Sequence, residues 1–380
     1  MPLLKGFRGK KGAKTIKVIV IVLAIAFVGG LLYTGSVVMR EPAGDHYGVI
    51  AVVNGKNINR DSFEQGYRNA LLAEYEYTGR VLPENIGPIR ISLLNQFIDT
   101  ILITEAARKE KIRISSKEVD EEFKLQEEAF PSKEEFQEAL AANNITAAQF
   151  KSLIKERLTI QKLFNQIQAG VTISEDEVKK AYTEETGAPA EGEEFDKQRS
   201  EIEMRLKAQA GQNELSAWLE GLRNEANIEL RDAELRALVK IKEKDYDEAI
   251  AEYNSAISLD PENPYLYVGV AQAYMAKDNL KQATEALEKA VSLRPEDPYM
   301  RLLLGLAYRD GDSHELAAHE FKVASEYGGL DILLHVRLES LLKTVGNDED
   351  VRNQQTKIKE IRELLEKSNS AAVTEEQVNN

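Results

Sequence analysis

With 380 residues, 43% of them hydrophobic and 30% charged, the chain has the make-up of a folded, helix-rich protein of two or three domains. It contains no cysteine, which excludes disulfides, thiol nucleophiles and cysteine-based zinc sites. The formal charge is −15; residues 1–40 hold seven Lys and Arg and no acid, so residues 41–380 carry −22, a sign that repels phosphate backbones and argues against nucleic acid as a partner.

Residues 1–17 form a basic tail with Lys5, Arg8, Lys10, Lys11, Lys14 and Lys17. The 21 residues from Val18 to Val38 carry no charge. At about 1.5 Å per residue they cross the roughly 30 Å hydrocarbon core of a bilayer. A cleaved signal sequence has a shorter apolar region, about 7–15 residues, that ends in a small-x-small site; this one ends Ser36-Val37-Val38-Met39. The expectation is an uncleaved transmembrane helix over 18–38. Only Arg40 follows it closely, so the positive-inside rule leaves the N-terminus in the cytoplasm and the rest of the chain outside. Residues 39–48 are a short polar tether.

From Val49 the pattern changes. Val49 to Val53 and Lys56 to Ile58 flank Asn54-Gly55, the dipeptide that best tolerates two positive φ values and so closes a tight hairpin. A helix with Phe63, Tyr67, Ala70 and Leu71 on one face follows, and after a loop over Gly79 to Pro88 a longer one with Ile91, Leu94, Ile98, Ile101 and Leu102. Further helix starts are read at Ser116, Ser132 and Thr146, each a capping residue before an apolar stripe. Val171 to Tyr182 reads as a turn into a helix, and Phe195 to Leu222 as a long helix followed by Ala226-Asn-Ile-Glu-Leu230.

The order hairpin, helix, helix from VIAVVNGKNINRDSFEQGYRNAL, with the returning WLEGLRNEANIEL, resembles the N-terminal chaperone domain of the SurA, PpiD and PrsA group of extracytoplasmic folding factors. That resemblance covers residues 49–230 and implies a helical chaperone domain with a small β-hairpin, in which a long helix and a short strand return to complete the domain. In the group a parvulin prolyl-isomerase domain stands between the two pieces. Here about a dozen residues near 185–194 join them, too few for an isomerase core. Tyr67, Tyr75 and Tyr77 are the candidate client contacts, and Phe97 is assigned to the core.

From Arg231 the sequence repeats. Ala249, Ala283 and Ala317 lie 34 apart, as do Ala256, Ala290 and Ala324; Tyr253, Leu287 and Phe321; and Ala237, Ala271 and Gly305. Pro261 and Pro295 close the first two units. The period, the small residues where helices touch and the closing proline resemble the tetratricopeptide repeat, an α-solenoid in which each helix pair buries its face against the next. Arg236 and Lys240 stand at usually apolar sites of the first unit, which suggests a capping repeat or one that packs elsewhere. Repeats and capping helices fill 231–366, and 367–380 is expected to be a disordered tail. The comparable inner-helix positions include Tyr265, Val268, Gln272, Met275, Tyr299, Leu302, Leu306 and Arg309. They lack the Lys and Asn set by which some such modules clamp a C-terminal carboxylate, and suit an extended or helical peptide. The same residues serve equally as core between helices, and both readings stay open.

Catalytic chemistry is sought and not found. His46, His314, His319 and His335 are the only histidines. His314 and His319 are five apart, so their rings point about 140° apart around a helix and cannot share one metal. No phosphate loop or nucleophile elbow occurs. The expectation is a mainly α protein with no cofactor and no enzymatic activity: a membrane-anchored, ATP-independent chaperone. Its partners would be unfolded or secreted polypeptides, with the translocon or another envelope complex docked on the repeats. The alternative is a non-catalytic scaffold of an envelope, secretion or division complex.

Overall fold

The computed structural model describes residues 48–142 and 145–378. The basic tail, the span Val18 to Val38, His46 and the tether up to residue 47 lie outside them. Among the described residues the fold is mainly α, with fifteen helices and one three-stranded sheet. The described residues form two compact units, 48–69 with Leu93–Glu229, and Ala70–Ser92 with 230–378. The sequence boundary at 230 falls where the second unit resumes, but residues 70–92, expected in the chaperone domain, group with the repeats.

In the first unit β1 (Val49–Val53) and β2 (Lys56–Asn59) pair antiparallel. Asn54 and Gly55 turn between them at φ 50° and 80°, the two positive values that this tight turn requires. Asn54 does more than turn. Its backbone N–H donates to Asn227 O at 2.9 Å, its Oδ1 accepts from Asn227 N at 2.9 Å, and its Nδ2 donates to Glu105 Oε2 at 2.8 Å. Lys56 Nζ lies 3.0 Å from the same carboxylate. The returning strand β3 (Ile228–Leu230) completes the sheet in the order β2-β1-β3.

Helix α1 (Arg60–Thr78) buries Phe63 against Phe97 of α2 (Pro83–Lys109), ring centroids 5.9 Å apart. Leu94, Ile98, Ile101 and Leu102 of α2 are buried as its stripe requires. By length and composition α2 is apolar enough to cross a membrane; 56% of its most apolar window is buried inside the protein, as in a core helix. Helices α3 (Ser116–Glu128), α4 (Lys133–Ala142) and α5 (Ala147–Ala169) close on Phe123, Phe130, Phe136 and Phe150, whose rings meet edge to face. The cap of α3 is Ser115, not Ser116. Helix α6 (Glu175–Thr186) and the 33-residue α7 (Glu193–Glu225) are joined by residues 187–192 alone. Helix α7 returns along the unit: Trp218 meets Phe164 with ring centroids 6.1 Å apart, and Arg223 grips Asp99 through two bonds of 2.7 and 2.6 Å.

The second unit holds four helix pairs: α8 (Ala233–Glu243) with α9 (Tyr246–Leu259), α10 (Pro264–Ala276) with α11 (Leu280–Leu293), α12 (Pro298–Asp310) with α13 (His314–Tyr327), and α14 (Ile332–Thr344) with α15 (Asp348–Val378). Tyr246, Leu280, His314 and Asp348 start second helices at exact steps of 34, and Pro264, Pro298 and Ile332 start first helices at the same step. The fourth pair therefore keeps the period although Gly328-Gly329 replaces the closing proline. The repeated alanines are buried, and where the repeat has Gly305 an added Cβ would lie 2.5 Å from the Phe321 ring. Arg236 is not out of place: it binds Glu252 of α9 through two 2.7 Å bonds and donates to Arg231 O at 2.7 Å. Helix α15 continues to Val378, so the backbone of the expected disordered tail is helical up to that residue; Ala371, Ala372, Glu375 and Glu376 are good helix formers.

Candidate binding surfaces

Two surfaces carry the residues that the sequence singles out. The first is the outward side of α1. Tyr75 is 59% exposed and Tyr77 91%, while Tyr67 is half-buried. At about 100° per residue Tyr75 and Tyr77 stand roughly 160° apart around the helix, so no single patch holds them. What Tyr75 does share a face with is Leu72, three residues earlier and 60% exposed. Sequence periodicity had the means to find Leu72, since i and i+3 face together. Phe97 is buried, as the core assignment requires.

The second surface is formed by the first helices of the repeats. Val268 and Leu302 do not belong to it: they are 2% and 1% exposed and sit in the core clusters between helices. Tyr265, Gln272, Met275, Tyr299, Leu306 and Arg309 are half-buried. The Tyr265 hydroxyl accepts from Arg294 Nη1 at 3.0 Å, with the guanidinium over its ring, and Arg309 pairs with Asp310. Tyr265 and Met275 pack on one apolar cluster, Tyr299 and Leu306 on the next.

Residues 78–90 of the same unit meet these helices. The Thr78 hydroxyl donates to Glu74 O at 2.7 Å, Gly79 turns at φ 75°, and Asn85 Nδ2 donates back to Glu74 Oε1 at 3.3 Å, which fixes the loop. Pro83 then starts α2, the helical position where a missing N–H costs nothing. Arg80 Nη1 donates to Asp331 Oδ1 at 3.0 Å, and Asp331 also accepts from the Tyr299 hydroxyl and from the Leu333 and Leu334 amides at 3.1 and 3.0 Å. Burial alone would raise the Asp331 carboxyl, but the Tyr299 hydroxyl, those amides and the Arg80 charge together hold it below its ordinary range. Burial and then the Asp331 carboxylate push the Tyr299 hydroxyl well up. Glu84 lies 3.6 Å from Arg337 of α14. Gly87 faces Leu238 of α8 so closely that a Cβ would come 2.6 Å from its Cδ2. Arg90 Nε lies 3.2 Å from Glu234 Oε1, with the two side chains 8% and 16% exposed. Arg80 and Asp331 are 251 residues apart, beyond any local periodicity.

Residues 3–164 match the family model of the SurA-like N-terminal domain, and residues 240–307 that of the Tetratricopeptide repeat. Foldase protein PrsA of Clostridium acetobutylicum is 27% identical over 158 residues, 39% of this chain and 47% of that protein. Foldase protein PrsA of Caldanaerobacter subterraneus subsp. tengcongensis is 27% identical over 175 residues, 44% of this chain and 51% of that protein. The chain thus spans about half the length of the curated relatives it matches. Among solved structures, the Sgt2 TPR domain from Aspergillus fumigatus is 25% identical over 32% of this chain and 80% of that one, with a TM-score of 0.27. MamA from Desulfovibrio magneticus RS-1 is 20% identical over 42% of this chain and 88% of that one, with a TM-score of 0.30. The chain carries a SurA-like N-terminal domain and tetratricopeptide repeats, in support of a chaperone or scaffold role that binds polypeptides.

Proposed function

We propose that the protein is a membrane-anchored, extracytoplasmic chaperone that works without ATP, holds unfolded or newly translocated polypeptides, and docks a partner on its repeats. The observation that carries this is the SurA-like N-terminal domain, found in a chain whose relatives are foldases. Leu72 and Tyr75 support it: large apolar side chains left more than half exposed side by side on a helix are suited to non-directional capture of apolar segments. The uncharged run Val18 to Val38 supports the anchor. Residues 187–192, the whole connection between α6 and α7, have no room for an isomerase module, which favours holding over catalysis.

The test is suppression of aggregation. The full chain in detergent is mixed with an unfolded exported protein and light scattering is followed. Slowed aggregation is expected, with clear weakening in the Leu72→Ser/Tyr75→Ser variant and little change in Tyr77→Ser. No slowing, together with no crosslinks to nascent clients in cells, would sink the chaperone reading. Co-purification with one fixed complex regardless of clients would assign the scaffold role instead, and prolyl isomerisation well above background would overturn the non-enzymatic one.

A further inference from the structure

We infer that residues 80–90 are the resident ligand of the repeats' inner face, an internal plug that a partner must displace by presenting one cation to Asp331 and a second to Glu234. The inner face of a repeat array is the surface such arrays offer to peptides, and here the chain's own segment engages its first and last first-helices. Arg80 reaches Asp331 at the start of α14, while Arg90 reaches Glu234 on α8. One short segment therefore bridges the first and last first-helices of the array.

The chemistry of this contact is mostly exchangeable. Arg80 and Asp331 are 26% and 22% exposed, Arg337 and Glu84 46% and 30%, and ion pairs with that much access to water hold weakly. Among the apolar side chains of the segment Pro83 and Ile86 are buried and Val81, Leu82 and Ile89 half-buried, and of its ion pairs Arg90–Glu234 is the one held largely out of water. Selectivity comes from two features. Asp331 is preorganised, its carboxylate already fixed by Tyr299 and two amides before any cation arrives. Leu238 favours glycine opposite it, since a Cβ there would force its Cδ2 to shift, and Gly87 stands at that place three positions before Arg90. A competing partner would be a helical segment started by proline, with an arginine or lysine at each end and glycine near the second.

The absence of cysteine makes the plug directly readable. In the full chain carrying Leu238→Cys as its single thiol, maleimide labelling should be slow, because the thiol lies beneath Gly87. Adding Arg80→Glu and Arg90→Glu should speed it by more than about tenfold, because an exposed pair is lost at Asp331, a buried one at Glu234, and like charges are left facing each other at both. Restoring the pairs in reverse with Asp331→Arg and Glu234→Arg should slow it again. Fast labelling in the single-thiol chain, or unchanged labelling in the reversed variant with helicity intact, would overturn the plug. Hydrogen exchange on the unaltered chain covers a variant that fails to fold: amides of 84–90 should exchange well before those of α10, and exchange only on global unfolding would mean a permanent contact. The inference rests on the proposed docking role only for what the plug excludes. Labelling uses no partner and no client, so its failure leaves the chaperone proposal standing.

Discussion

Gly305 and Gly221 are both helical, and an alanine would do opposite things at the two. A Cβ at Gly305 would stand 2.5 Å from Phe321 Cε1 and 3.3 Å from Ala317 O, and the Phe321 ring is fully buried with no room to withdraw. Overpacking of that kind costs about 1–3 kcal/mol, more than the ~1 kcal/mol that replacing a helical glycine returns. Nothing lies within 4 Å of a Cβ at Gly221. Thermal melting should therefore show Gly305→Ala lowering the midpoint and Gly221→Ala raising it; a rise in both would deny the close approach at Phe321. Glu156 gives a residue-level pH dependence. Burial raises its carboxyl above the ordinary value, and the Thr104 hydrogen bond and Arg108 charge only partly oppose this. The folded state thus holds this proton more tightly than the unfolded chain does. Its contribution is most favourable below the unfolded value and is lost as pH rises through the folded one. Glu156→Gln should be more stable than the parent at pH 7, and the difference should vanish below about pH 4. Melting curves at the two pH values check the sign, and equal midpoints at pH 7 would refute it.

At the scale of elements, much of the fold is legible wherever a local rule has one solution. Asn54-Gly55 announced the hairpin because few dipeptides accept φ 50° and 80° in succession. The 34-residue period read from three units recurs in the helix starts of the structure and extends to a fourth pair, whose closing proline is gone. The cap of α3 was misplaced by one residue, and the sequence held the correction: three residues after Ser115 stands Glu118, which completes a capping box, whereas three after Ser116 stands Val119, which cannot. Two inner-face candidates, Val268 and Leu302, belong to the core because a helix in a stacked pair buries more than one stripe, and a spacing of three to four does not say which side the neighbour takes. The docking of Arg80 on Asp331 was illegible for a different reason. Each residue alone is an ordinary surface charge, and only the folded chain brings them to 3.0 Å. Arg236 was visible as a misfit, yet its partner Glu252 lies 16 residues on in another helix.

At the scale of the whole molecule the charges divide sharply, seven positive and none negative in residues 1–40 against −22 beyond. That asymmetry matters only with the uncharged run between Val18 and Val38, since orientation follows Lys and Arg close to a span and not net charge at large. The proposed anchor therefore makes a prediction that the folded units do not. In intact cells the chain should sediment with membranes and resist alkaline extraction. Protease added to spheroplasts should degrade the part after Arg40 while sparing an epitope placed before Lys5. Replacing the six cationic side chains ahead of Val18 by glutamine removes the orienting bias, so the epitope should become cleavable in a substantial fraction of molecules. Release of a soluble product trimmed near Met39 would instead mean that the apolar run is a cleaved leader, and a chaperone anchored beside the exit of newly translocated chains would have to be given up, whatever its ability to hold them.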